Sequence, residues 1–259
     1  GEMPFFPGMG YPLVPGYETV GVVVDKRASN KLKVGDHVFV PGANCYEKEK
    51  GLFGASSSLL IASDEKLIKI DPELKAKGTL FALAATARHA LAGLGNKLPS
   101  LIIGHGVLGR LLARLTIAAG GEPPTVWESN PLRVGHQTDY NVIDPLKDSS
   151  ADHAAIYEAS GDISVLDKII PKLKKNGEIV LAGFYSSPIS FAFPPAFMRE
   201  ARFRISAEFN TEDINITRSL LETGALSLEG LISHEKNVNS SKAAYKQSFE
   251  DPECLKMVI

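Results

Sequence analysis

From Leu101 onward the chain alternates short, largely apolar runs with longer segments whose apolar residues recur at helical spacing. Leu101 to Gly104, Thr125 to Glu128, Val142 to Asp144, Ala154 to Ala159 and Glu178 to Gly183 read as strands buried on both faces. Arg202 to Phe209 alternates apolar with polar and reads as a sixth. Val107 to Ala119 and Ile163 to Lys175 are the clearest intervening helices. Strands covered on both faces and joined by helices predict a doubly wound parallel α/β sheet. Upstream the pattern is different. Thr19 to Val24, His37 to Val40 and Leu59 to Ile61 are short β segments separated by Gly, Asn and Asp turns such as Val34-Gly-Asp-His37, which predicts a small β-rich domain between about Val14 and Lys69. Asp71 to Gly95 then reads as helix, with an Asp-Pro start and apolar positions at Leu80, Leu83, Ala87 and Leu91. A further helix is expected near Ser241 to Phe249, before an apolar end at Leu255 to Ile259.

Chemistry enters where the first strand of the parallel sheet meets its helix. Gly104-His105-Gly106-Val107-Leu108-Gly109 is a GxGxxG run between an apolar strand and a helix-forming segment. In a dinucleotide fold the first glycine makes the tight turn, the second lets backbone approach the pyrophosphate and the third lets helix pack on strand. The free N–H groups and dipole of the helix face the phosphates. Thr125-Val-Trp-Glu128 supplies a second strand ending in an acid, at about the twenty-residue spacing of a carboxylate that binds a ribose diol. A carboxylate there repels a 2′-phosphate, so NAD is favoured over NADP, although Ser129 and Arg133 lie close enough to assist a phosphate if Glu128 turns away.

Composition narrows the classes. The chain has 259 residues, 44% of them apolar, and a formal net charge of −2. Its basic residues are scattered among acidic ones and its pI is about 6.4, so no nucleic-acid footprint is present. No apolar run is long enough for a transmembrane helix; the expected location is the cytoplasm, with peripheral attachment to a membrane left open. Cys45 and Cys254 form no CxxC pair and read as free thiols. The first strand follows a Pro- and Gly-rich loop, so the chain is expected to enter its first domain midway.

Taken together, Pro15-Gly-Tyr-Glu-Thr-Val-Gly21, Lys33-Val-Gly-Asp-His-Val38, Ala85-Thr-Ala-Arg-His-Ala-Leu91, Leu231-Ile-Ser-His234 and Leu255-Lys-Met-Val258 resemble the medium-chain dehydrogenase/reductase superfamily almost end to end. The resemblance implies a GroES-like catalytic domain, N-terminally incomplete, over 1–90 and 226–259, and a Rossmann dinucleotide domain over 91–225. It implies that Thr86 stands beside the nicotinamide ring, and that Ala159-Ser160-Gly161 and Gly183-Phe184-Tyr185 end strands at the cofactor crevice. Both turns could equally need glycine only for their backbone angles. Zinc members of the superfamily use the His of a GHE segment and a Cys or Glu four residues before that Thr. Here those positions hold Tyr17 and Ala82, so no metal is expected. A side chain must then take the proton of the alcohol. Tyr17 with Glu18 is the leading relay, and His89 and His105 are the other candidates. His37, His136, His153 and His234 read as structural or surface residues.

Pro4-Phe-Phe-Pro-Gly-Met-Gly-Tyr-Pro12, Pro41-Gly-Ala-Asn-Cys-Tyr-Glu47 and Ser190-Phe-Ala-Phe-Pro-Pro-Ala-Phe-Met198 are similar, more narrowly, to the bacteriochlorophyllide dehydrogenase family of that superfamily. The resemblance implies a bacteriochlorophyllide-type tetrapyrrole substrate. Phe5, Phe6, Met9, Tyr11 and Tyr185 are candidates to line its pocket. The run Phe191 to Met198, too apolar for an exposed loop and too irregular for a helix, would serve as a pocket wall or as the interface of a homodimer. Two other readings stay open: a zinc-free NADPH-dependent quinone or enone reductase, against which Glu128 argues, and a non-catalytic dinucleotide-binding protein.

Overall fold

The protein is described here by a computed structural model covering residues 10–27, 29–92, 96–134 and 139–259. It divides into two compact units, Gly1–Ala82 and Leu83–Ile259. This division differs from the domain limits read from sequence at both places, since 83–90 and the C-terminal tail fall in the second unit.

In the first unit β1 (Thr19–Val22), β2 (His37–Val40) and β3 (Ile68–Lys69) form an antiparallel sheet, with Val20 opposite Phe39 and Phe39 opposite Ile68. Val23, Leu32, Val38, Val40 and Ala55 make its core, with Leu60 and Leu67 packed against them. The expected strand at Leu59 to Ile61 is not one. Its alternation is real, because Leu60 turns inward while Leu59 and Ile61 are exposed, but the third position of the sheet is taken by β3. The helical segment from Asp71 also divides. Asp71 caps a 3₁₀ run, Pro72–Leu80, that is broken at Lys75 by a φ of 47°, and the α-helix proper, α1, is Phe81–Leu91.

The second unit carries the parallel sheet. Its strands are β4 (Leu101–Ile103), β5 (Thr125–Trp127), β6 (Asn141–Ile143), β7 (His153–Glu158), β8 (Leu173–Leu181) and β9 (Arg202–Ile205). Their spatial order is β9-β8-β7-β4-β5-β6. The first and fourth strands are neighbours, so the chain reverses its direction of travel across the sheet between β4 and β7, and a crevice opens beyond their carboxyl ends. Leu101, Ile102, Ile156, Tyr157, Ile179 and Val180 are completely buried at the centre. The helix α2 (Val107–Ala118) buries Leu111, Leu112 and Leu115. The expected helix from Ile163 is a broken run instead, with α3 limited to Leu166–Ile169 because Pro171 lacks the N–H to continue it.

Phe191 to Met198 corrects a sequence expectation. Phe193–Arg199 is a helix, α4, with Pro194 and Pro195 in its first turn, where their missing N–H groups cost nothing, and Glu200 closing it at a φ of 46°. Phe191 stacks on Phe203 with ring centroids 4.7 Å apart, whereas Phe193, Phe197 and Met198 are exposed. Beyond β9 come α5 (Thr211–Glu222), started by a capping box of Asn210 and Asp213, and α6 (Ser241–Glu250). The tail pairs His234–Glu235 with Met257–Val258. It is tied to the sheet unit by Arg114, whose guanidinium donates to the Ser227 and Glu229 carbonyls. Among the described residues no helix is long and apolar enough to cross a membrane.

Candidate active site

The glycines after β4 do three different jobs. Gly104 turns the chain at a φ of 97°, and a Cβ there would press on Ser160 at 3.1 Å. Gly109 packs against the Gly104 carbonyl so closely that no side chain fits between helix and strand. At Gly106, the N-cap of α2, a Cβ would meet nothing within 4 Å, and no side chain caps the helix. A helix start with free N–H groups thus faces open space, the arrangement that a pyrophosphate fills. Val107 and Leu108 form its first turn.

Glu128 stands beside this turn at the end of β5 and is buried. Its carboxylate accepts from the His105 backbone N–H at 3.2 Å and the Asn130 N–H at 2.7 Å. Those two donors hold the acid toward the phosphate loop. Arg133, the residue that could greet a 2′-phosphate, is turned elsewhere: its Nε donates to the Pro252 carbonyl at 3.1 Å and Nη2 to that of Cys254 at 3.2 Å. His105 is completely buried, with Nδ1 3.0 Å from the Arg133 carbonyl and Nε2 3.0 Å from the Tyr140 hydroxyl. A carbonyl can only accept, so Nδ1 carries the proton and, in the neutral ring, Nε2 accepts from Tyr140. Burial holds the Tyr140 phenol above its usual value, which keeps it a donor. The ring ties the phosphate loop to the segments after β5. Arg110, pulled down from the usual guanidinium range by burial, donates from Nε to the His105 carbonyl at 3.0 Å and braces the same turn.

At the end of β7, Glu158 is completely buried and saturated with donors. It accepts from the Ser160 N–H at 2.6 Å, the Gly161 N–H at 3.2 Å, and the Ser160 and Tyr185 hydroxyls. Burial first, and then this carboxylate, push the Tyr185 phenol far above its usual value, so it remains a donor. The turns Ala159–Gly161 and Gly183–Tyr185 touch directly. A Cβ on Gly161 would lie 2.8 Å from the Phe184 carbonyl, and one on Gly183 the same distance from the Gly161 nitrogen. Tyr185 is therefore a clamp between two strand ends, while Phe184 is exposed.

Helix α1 carries Thr86 and, one turn on, His89, both half-buried. His89 Nδ1 lies 2.7 Å from Asp213 Oδ2, and Arg88 Nη1 lies 2.5 Å from Asp213 Oδ1. Asp213 is completely buried in the first turn of α5 and also accepts from the Asn210 N–H at 2.8 Å. Although burial opposes it, these hydrogen bonds hold its carboxyl below the usual range. Nothing in the sequence pairs His89 with a residue so far along the chain. The one available signal was the Asn210-x-x-Asp213 capping box, which places an acid at the start of α5.

In the first unit, Tyr17 packs its ring on Phe53 with centroids 5.0 Å apart. Although 44% of Tyr17 is accessible, crowding around the hydroxyl and then the neighbouring Glu18 carboxylate raise the phenol above its usual value. Ala82 is buried. Among the described residues no group of three or more His, Cys, Asp or Glu side chains converges as a metal site would require. Tyr11 is exposed, and Phe5, Phe6, Met9 and His136 lie outside the described residues. His153 is buried at the amino end of β7, where Ser100 and Ser150 flank its ring at 2.9 and 3.0 Å, a structural role.

Comparison with known proteins places this geometry. Residues 1–72 match the alcohol dehydrogenase GroES-like domain family. The whole chain is 55% identical to the 2-desacetyl-2-hydroxyethyl bacteriochlorophyllide a dehydrogenase of Cereibacter sphaeroides and 54% identical to that of Rhodobacter capsulatus, spanning 83% of each. Among solved structures, L-idonate 5-dehydrogenase from Escherichia coli superimposes with a TM-score of 0.78 at 16% identity, over 95% of this chain and 81% of that one. A zinc-binding dehydrogenase from Sinorhizobium meliloti bound to NADP also gives 0.78, at 17% identity, over 99% of this chain and 84% of that one. The GroES-like N-terminal unit, the β9-β8-β7-β4-β5-β6 sheet with its glycine turn, and identity above one half along the full chain establish that this protein belongs to the medium-chain dehydrogenase/reductase superfamily, in the family of bacteriochlorophyllide a dehydrogenases.

Proposed function

We infer that the chain is a zinc-independent, NAD-dependent dehydrogenase that oxidises the 3-(1-hydroxyethyl) group of a bacteriochlorophyllide to 3-acetyl. The observation that carries the cofactor assignment is the pair of anchors around the ribose position. Glu128 is held by two backbone N–H groups, and Arg133 is engaged with tail carbonyls, so the acid is favoured over the cation as the ribose partner. The phosphate loop fits such a cofactor, since Gly106 leaves open space at an uncapped helix start. Solved structures of the same fold include one complexed with NADH. Bound there, a nicotinamide dinucleotide supplies the hydride acceptor.

The reaction without zinc rests on the chemistry of the donor set. Tyr17 and Ala82 replace two ligands, a phenol held above its usual value is a poor metal ligand, and a methyl group is none. The neutral phenol suits Tyr17 to donating a hydrogen bond to the reacting oxygen, with Glu18 next to it in the chain. The pigment supplies the specificity: its flat apolar face matches the aromatic N-terminal segment containing Phe5, Phe6, Met9 and Tyr11. The exposed Phe193, Phe197 and Met198 on α4 support self-association as a homodimer. The test is steady-state oxidation of the hydroxyethyl pigment with NAD and NADP in parallel, in the presence of chelator. Turnover with NAD at the higher kcat/KM is expected. A preference for NADP, or activity lost with a stoichiometric metal, overturns the assignment.

A further inference from the structure

A general base needs two things: a bare lone pair aimed at the reacting hydroxyl, and something behind it that stabilises the charge it acquires. The β-strand topology puts a candidate on the cofactor side of the second unit. Asp213 sits in the first turn of α5, the helix that follows the carboxyl end of β9, and ligands of such sheets bind outside the carboxyl ends. Its Oδ2 is 2.7 Å from His89 Nδ1, across an interval of 124 residues. The other oxygen is 2.5 Å from Arg88 Nη1. His89 stands three residues after Thr86, on neighbouring positions of one helix face, and 34% of its side chain is accessible.

When the ring is neutral, one tautomer fits this contact. An ionised carboxylate only accepts, so the proton of the neutral imidazole lies on Nδ1 and the lone pair on Nε2. Asp213 can be buried as an anion because Arg88, His89 and the Asn210 N–H surround it, and because Arg88 supplies the opposite charge. Glu212, 3.8 Å from Arg88 Nη2, is a further charged group beside the pair. An imidazolium formed on His89 would face this carboxylate directly.

We propose that His89 is the proton acceptor of the oxidation and that Asp213 is its positioning residue, fixing the tautomer that leaves Nε2 bare. This rests on the hydroxyethyl oxidation inferred above. In the step, the O–H bond breaks with its proton passing to Nε2, the carbonyl double bond forms, and the carbinol hydrogen leaves with its electron pair as hydride, for which a bound nicotinamide would be the acceptor. The imidazolium then returns its proton to water. Arg88 holds the far side of Asp213, so the carboxylate does not rotate away from the ring.

Two measurements test the assignment. In the protein without cofactor or pigment, ¹⁵N–¹H correlation spectra at alkaline pH should show His89 protonated at Nδ1 and bare at Nε2. Asp213→Asn, whose amide can donate to Nδ1, should shift the ring toward the opposite tautomer. In turnover, His89→Gln should lower kcat about 10²-fold or more and flatten the rise of kcat/KM with pH, while the NAD affinity stays within about twofold. Asp213→Asn should follow in kcat, and imidazole added to His89→Ala should restore part of the rate. Glu212→Gln, which removes a charge from the same turn, should change neither readout. If Asp213→Asn does not fold, His89→Gln, which keeps the Asp213–Arg88 pair, carries the kinetic test. A wild-type ring protonated at Nε2, or near-normal single-turnover hydride transfer in His89→Gln, overturns the proposal. A wild-type protein inactive on the pigment refutes the substrate reading instead, and the tautomer spectra then still decide the pairing.

Discussion

Truncating Glu128 separates its two roles. The carboxylate is buried between the phosphate loop and the turn after β5, accepting from the His105 N–H at 3.2 Å and the Asn130 N–H at 2.7 Å. Against a bound ribose it would add charge-assisted hydrogen bonds, each class worth about 1.5–3 kcal/mol. Glu128→Ala should therefore weaken NAD about 10- to 150-fold by fluorescence titration. It should also leave the buried His105 N–H without its acceptor, a cost of about 1–3 kcal/mol that lowers the thermal midpoint by several degrees. Glu128→Gln keeps the shape of the side chain but turns its amide NH2 toward one of these two N–H groups, so it should lose stability on the same scale while NAD affinity also falls. NADP should gain in both variants by loss of repulsion, yet remain weak, because Arg133 stays engaged with the Pro252 and Cys254 carbonyls. Wild-type affinity for NAD in Glu128→Ala, or a wild-type protein that binds NADP more tightly, would refute the reasoning.

Gly109→Ala would drive a methyl group into the Gly104 carbonyl; it should cost about 1–3 kcal/mol of stability and much of the cofactor affinity, read by thermal melts with and without NAD. Tyr17→Phe keeps the ring on Phe53 and removes only the hydroxyl, so kcat should fall by about tenfold, the scale of one hydrogen bond; a loss near 10³-fold would make Tyr17 the base instead. Asp213 gives a pH signature. Its folded carboxyl lies below the unfolded value of about 4, so its stabilisation is complete above that pH and is lost as the pH falls through the folded value. Denaturant melts of wild type should weaken in that acidic window and those of Asp213→Asn should weaken less; parallel losses would show that the pair contributes nothing.

The sheet was legible because its signal is local. β4, β5 and β7 are largely apolar, β8 closes on the apolar Ile179-Val-Leu181 and β9 alternates, and the glycine turn carries its own reasons: a positive φ at Gly104, close packing at Gly109 and open space at Gly106. The glycine turn and the position of Glu128 at the end of β5 could be read at that level. Phe191 to Met198 was misread because two prolines conceal a helix whose first turn tolerates them. Leu59 to Ile61 was misread because alternation reports one buried side, and a strand also needs a partner. The proposed proton acceptor stood out only in part. His89 could be singled out on its helix, but its weight comes from Asp213, which reaches it through the β9–α5 connection. His105 could be singled out from its place between two glycines as a candidate to take the proton, whereas both its ring nitrogens face protein partners.

The most direct measurement incubates purified protein with NAD and the hydroxyethyl bacteriochlorophyllide and follows pigment and cofactor absorption together. Oxidation of the secondary alcohol predicts one NADH for each 3-acetyl pigment formed, undiminished by chelator. NADH-free conversion, or consumption of NADPH with reduction of a conjugated double bond, would contradict it.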